Sequence, residues 1–125
     1  MTYRQGDVVI INFPYTSGKT LKKRPGLILS TYEYNTNRQE CIIAPITSQN
    51  KGDMFLGDYV ILDWKKAGLY KPSLVKCILF TLEESMIEKT LGHFENKDLT
   101  SFIGILHSII KNLSEADIAY MIQDF

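Results

Sequence analysis

Two cysteines, two histidines and one tryptophan are all that this 125-residue chain holds of those three types. Each scarcity removes a class of function. Cys41 and Cys77 stand alone inside apolar runs, with no C-x-x-C pair and no Cys/His cluster at zinc spacing. Free buried thiols are therefore expected, with a disulfide as the lesser alternative. His93 and His107 lie 14 residues apart with no carboxylate or cysteine at matching spacing, so neither reads as a base or a ligand. No apolar run approaches the about 18 residues that a membrane span needs. The opening "MTYRQGDVVIINF" has no small-residue cleavage site and reads as a first strand rather than a signal peptide. The expectation is a cytoplasmic protein with no membrane partner. "SGKT" at 17–20 resembles the tail of a phosphate-binding loop, but the first glycine of that motif would fall on Phe13. The segment also runs into Pro25 and an apolar stretch where the motif requires a helix. Glu83–Glu84 at an expected helix start is accounted for by the helix dipole. The sequence supports neither a metal nor a nucleotide cofactor.

A surplus of charge of one sign is missing too, since 14 Lys and Arg balance 14 Asp and Glu. The balance hides an uneven spread. Residues 1–76 hold 11 basic and 6 acidic residues, and residues 77–125 hold 3 and 8. A neutral chain can therefore carry a basic face.

What is present is a β pattern followed by a helical one. "DVVIINF" (7–13), "PGLILST" (25–31), "ECIIAPI" (40–46), "YVIL" (59–62) and "SLVKCILF" (73–80) are short runs rich in Val, Ile and aromatics. Several are apolar on both faces, which predicts that both faces are covered. With no helices between them, they predict a small antiparallel barrel or a strongly bent sheet of five or more strands. "EESMIEK" (83–89) reads as a short turn or helix. From Asn96, an expected N-cap, the period changes: Leu99, Phe102, Ile103, Leu106, Ile109, Ile110 and Leu113 form one helical stripe. A second helix is expected over about 114–125, capped by Ser114, with Ile118, Met121, Ile122 and Phe125 as its stripe. The chain, 1–125, reads as a single domain.

Three segments carry chemistry. "GKTLKKRP" (18–25) crowds Lys19, Lys22, Lys23 and Arg24 against Pro25 and a strand. "APITSQ" (44–49) sets Thr47, Ser48 and Gln49 directly after an apolar run. "DWKKAGLYKPS" (63–73) interleaves Trp64 and Tyr70 with Lys65, Lys66 and Lys71. Lysines track phosphates and aromatic faces stack on bases, the combination that suits single-stranded nucleic acid. Taken singly, each has a plainer reading: Arg24 paired with a surface carboxylate, Thr47 and Ser48 as turn formers, Trp64 as a core residue.

The order of these segments resembles the MazF/PemK toxin family of bacterial type II toxin–antitoxin systems. The resemblance rests on "GDVVIINFPYTSGKTLKKRPGLILS", "APITSQ" and "DWKKAGLYKPSLVK…FTLEESMI…LG", and runs from about Gly6 to about residue 110. It implies an SH3-like barrel with a C-terminal helix, mainly β, of the CcdB/PemK type. It implies a homodimer, a sequence-specific and metal-independent endoribonuclease acting on single-stranded RNA, and a cognate antitoxin with which the toxin binds DNA. The family's catalytic arginine and threonine fall on Arg24 and Thr47. Lys19, Lys22, Lys23, Ser48, Gln49, Trp64 and Lys71 would contact the RNA. The loop "TSGKTLKK" differs from the Gly-Ser-Glu stretch of better-known members, and the tail beyond Leu113 lies outside the resemblance. The alternatives are a non-catalytic RNA- or partner-binding module on the same barrel, and a CcdB-like inhibitor of a topoisomerase.

The chemistry is economical, because RNA brings its own nucleophile, the 2′-hydroxyl. In-line attack on the adjacent phosphorus gives a cyclic phosphate and a free 5′-hydroxyl. The protein must orient the strand, stabilise phosphoryl charge and manage two proton transfers. A planar, permanently charged guanidinium suits the second task. The sequence assigns no general base.

Overall fold

The computed structural model describes residues 2–13, 22–48, 52, 54–110 and 116. Lys19, Gln49, Leu113 and the expected helix over 114–125, apart from Ala116, lie outside the described residues. Seven strands and two helices are seen: β1 (Asp7–Phe13), β2 (Lys22–Ile28), α1 (Tyr32–Arg38), β3 (Glu40–Ser48), β4 (Tyr59–Val60), β5 (Ser73–Val75), β6 (Phe80–Glu83), β7 (Ile87–His93) and α2 (Asn96–Ile110). Every strand pairing is antiparallel. The architecture is the mainly β, SH3-like arrangement with a C-terminal helix that the sequence predicts.

The sheet runs β4-β5-β3-β2-β1-β7, with β6 also on β3. β3 is its spine. One edge pairs with β2, and the other takes β6 along Glu40–Ile43 and then β5 along Ile46–Ser48. Both faces are covered, as the apolar runs predict. Val8, Leu27, Ala44 and Ile46 join Phe94, Phe102 and Leu106 in one buried cluster. Their neighbours Val9, Ile28 and Ile43 join Ile11, Cys41 and Ile87 in a second. The two ends of the sheet meet without strand pairing. There the turn before Leu69 lies on β7 so closely that a Cβ on Gly68 would sit 2.3 Å from the Leu91 carbonyl oxygen, and one on Gly92 would sit 2.4 Å from that of Ala67. Only glycine permits this approach, and Gly68 also has φ +90°.

Five expectations need correction. A helix does intervene between strands: Thr31 caps α1 by accepting from the Tyr34 N–H, and Gln39 closes it in the left-handed region. Its Asn35 is buried and donates to the carbonyls of Tyr3 and Ser30, so the segment is held by polar contacts that apolar periodicity does not report. β2 covers Lys22–Ile28 rather than 25–31. The 73–80 run splits into β5 and β6, because Asp58 accepts from the Cys77 N–H and draws the chain aside. Residues 83–89 form only a 3-10 turn, Glu84–Met86, before β7 begins at Ile87. Within α2, Asn96 is the first helical residue rather than its cap, and Ile109 and Ile110 are exposed. Both described cysteines are free thiols.

Candidate active site

The opening in the sheet follows from two prolines. β2 and β3 pair as Ile28↔Ile43, Leu27↔Ala44 and Gly26↔Pro45, and there the pairing stops. Proline lacks the N–H a ladder requires, and Pro25 is the next residue of β2. Beyond that point β2 stays with β1, through Pro25↔Ile10 and Arg24↔Ile11. β3 turns to β5, through Ile46↔Val75 and Thr47↔Leu74. Continued by two residues, the broken register would set Arg24 opposite Thr47. Two steps along a strand returns to the same face, so both belong to the face of Gly26 and Pro45. The two expected catalytic residues thus stand across from each other where the strands part.

The gap is a groove of about 530 Å³. Ile10, Ile46, Leu69 and Leu91 give it apolar walls. Lys23, Arg24, Thr47, Ser48, Tyr70, Lys71, Ser73, Glu88 and Lys89 give it polar ones. Among the described residues, four cations face one carboxylate, an excess that favours a polyanion. β7 supplies its residues through irregularity. Its register against β1 shifts between Val8 and Val9 and again between Ile10 and Ile11, leaving Leu91 and Glu88 as the extra residues. Bulges re-aim side chains, and both extra residues line the groove.

The sequence-predicted residues separate into groups. Arg24, Thr47, Ser48, Lys23 and Lys71 come together in the groove. Neither the Arg24 side chain nor the Thr47 hydroxyl has a hydrogen-bond or ion-pair partner among the described residues. Lys23 is paired, its Nζ 2.9 Å from Glu88 Oε1. Lys22 opens β2 at the register position of Phe13, with its side chain outside the described atoms. Trp64 does not line the groove; it is half-buried against the larger core cluster, with Lys65 Nζ 5.4 Å from its ring centroid.

Of the charged and aromatic lining residues, three were not assigned from sequence. Tyr70 was noted only as an interleaved aromatic; it is 87% exposed, with Lys71 Nζ 6.0 Å from its ring centroid. Glu88 and Lys89 fell in a segment read as a short turn or helix. Both lie on β7, which is held by its pairing to β1. That pairing also gives His93 the carboxylate it lacks in sequence, with Asp7 Oδ1 2.9 Å from Nδ1. His93 does not line the groove, and His107 is exposed on α2.

The loop that brings Tyr70 and Lys71 is anchored from behind. Asp98, in the first turn of α2, is wholly buried and accepts from the Leu62 N–H (3.0 Å), the Asp63 N–H (2.9 Å) and the Tyr59 hydroxyl (2.6 Å). Burial and the hydrogen bond to Asp98 push the Tyr59 phenol up to about 12. No cluster of His, Cys, Asp and Glu suited to a metal ion occurs among the described residues. Among them, no helix is long and apolar enough to cross a membrane.

Comparison with known proteins falls on this same span. The family model described as PemK-like, MazF-like toxin of type II toxin–antitoxin system matches residues 4–110. The endoribonuclease toxin MazF of Escherichia coli K12 is 26% identical over 102 residues, covering 81% of this chain and 90% of that protein. A MazE–MazF crystal structure from Deinococcus radiodurans superposes with TM-score 0.70 at 23% identity, over 88% of this chain and 97% of that one. A mycobacterial endoribonuclease in complex with its cognate antitoxin gives TM-score 0.66 at 14% identity, over 86% and 91%.

Proposed function

We infer the activity from one premise: the chain belongs to the PemK-like, MazF-like toxin family of type II toxin–antitoxin systems. It is an endoribonuclease that cuts single-stranded RNA, acting as a homodimer in the cytoplasm and restrained by a cognate antitoxin. The observation that carries this reading is the opposition of Arg24 and Thr47 across the gap where β2 and β3 part, inside a groove with four described cations.

The strand lies along the groove with its phosphates on Lys23, Lys71 and Lys89. Arg24, with no partner among the described residues, is free to grip the scissile phosphate through two N–H groups. Thr47 donates its hydroxyl to a phosphoryl oxygen. The substrate's 2′-hydroxyl attacks the adjacent phosphorus, so that the step needs no metal-bound water. Ser48 and Tyr70 hold the flanking nucleotides.

Incubation of the protein with mixed single-stranded RNA in EDTA, beside the all-deoxy strand and the Arg24→Ala variant, tests this. Wild type should cut the RNA and leave the DNA whole. Arg24→Ala should lose about 10²–10³-fold in rate, as for removal of one preorganised donor to developing charge, with an unchanged fold. Uncut RNA would favour the RNA-binding module or the topoisomerase inhibitor instead. Undiminished cleavage by Arg24→Ala would remove that residue from the site.

A further inference from the structure

We propose that Glu88 is the general base of the cleavage reaction, taking the proton from the attacking 2′-hydroxyl; this rests on the ribonuclease reading above. Attack by that hydroxyl requires a proton acceptor. Guanidinium and ammonium groups donate hydrogen bonds and accept none, which leaves out Arg24 and the groove lysines, and the Thr47 hydroxyl is not basic. Neither histidine lines the groove. Among the described residues Glu88 is the one carboxylate that lines the groove.

Its position follows from the backbone. Glu88 is the extra residue of the β7 bulge between Ile10 and Ile11, and Ile11 is the residue paired with Arg24 on the other side of β1. Glu88 and Arg24 therefore flank β1 at the same level, two strand spacings or about 10 Å apart at the backbone. Side chains of their length converge across that gap on one nucleotide. Lys23 Nζ lies 2.9 Å from Oε1 in a solvent-exposed pair, and Oε2 has no partner among the described residues.

In the step, O2′ gives its proton to Glu88 and forms the O2′–P bond. The P–O5′ bond breaks and O5′ takes a proton from water. The products are a 2′,3′-cyclic phosphate and a 5′-hydroxyl, and Glu88 later returns its proton to solvent. Lys23 orients the base, and its ammonium also faces the phosphate.

Single-turnover cleavage of a short RNA, read across pH, decides the matter for wild type, Glu88→Gln, Glu88→Asp and Lys23→Ala. Glu88→Gln should lose about 10²–10⁴-fold in the saturated rate, the usual contribution of a positioned base. Its affinity for a strand made uncleavable by a 2′-O-methyl group should be retained. The wild-type rate should fall in acid, and the Glu88→Gln profile should lose that limb. Glu88→Asp should recover part of the rate. Lys23→Ala should weaken binding while keeping the acid limb. A Glu88→Gln variant that matches Lys23→Ala in rate and profile, or that keeps the acid limb, would reduce Glu88 to a support for Lys23 and overturn the assignment. Failure of wild type to cut RNA at all would strike the ribonuclease reading first, and this inference with it.

Discussion

Tyr70 leaves 87% of its surface in water at the edge of a cationic groove, beside Lys71. An aromatic ring so exposed adds nothing to a core, so its removal should not disturb the fold. Base–aromatic stacking is worth about 1–3 kcal/mol. Tyr70→Ala should weaken RNA binding by that amount, read by titration of an uncleavable strand, while the melting temperature holds. Unchanged affinity would leave the ring outside the RNA path. The residue scale is also where the sequence was most legible. Arg24 and Thr47, singled out by a proline after a basic run and by polar residues at a strand end, both line the groove. Trp64 misled for a physical reason: its flanking lysines reach solvent while the ring itself packs on the core. Glu88 was illegible because its place comes from a bulge, and Lys89 because its place comes from pairing with Ile10; both are relations between two strands.

At the scale of elements, the groove depends on a helix that does not touch it. Asp98 ties the first turn of α2 to the chain at Tyr59, Leu62 and Asp63, just before the turn that delivers Leu69, Tyr70 and Lys71. Asp98→Ala would leave two backbone N–H groups and a hydroxyl without their acceptor in a buried site. Hydrogen bonds to a charged group contribute about 1.5–3 kcal/mol each, and a buried donor left unpaired costs about 1–3 kcal/mol. A loss of about 3 kcal/mol or more is expected in urea unfolding, against about 1 kcal/mol for Tyr59→Phe, which removes one bond and leaves the backbone satisfied. Equal losses for the two variants would place the anchor elsewhere. The elements themselves were legible in proportion to how local their cause is. β1 and α2 announce themselves by composition and period, and the observed spans differ little from the predicted ones. β7 does not: "IEKTLGH" carries few apolar residues and is mostly exposed, being held by its pairing to β1. α1 is fixed by a cap and a buried asparagine.

At the scale of the whole molecule, exposed apolar side chains also gather away from the groove, with Lys76 Nζ 5.0 Å from the Phe55 ring centroid among them. The excess of basic residues in 1–76 marks the groove only in part, since Lys89 joins it from the acidic half of the chain. The apolar surface is gathered by Gly57. A Cβ there would lie 2.8 Å from Cys77 Cβ and 3.0 Å from Ile109 Cδ1, so the turn at 55–57, the segment after Cys77 and the end of α2 meet at one point. Around it Phe55, Leu56, Ile78 and Ile110 are 74%, 94%, 56% and 68% exposed. Contiguous apolar patches mark protein interfaces, and RNA, a polyanion, has no claim on this one. The core of a homodimer interface is more apolar than the rest of a protein surface, which assigns the patch to the second copy of the proposed dimer. Leu56→Glu with Ile110→Glu would bury charge in that contact, and burying an unpaired charge is strongly unfavourable. Sedimentation should then report 14.3 kDa for the variant and twice that chain mass for the wild type. A wild-type monomer, with the patch protected only when antitoxin is added, would assign it to the antitoxin. A variant that stays dimeric would move the contact to another face.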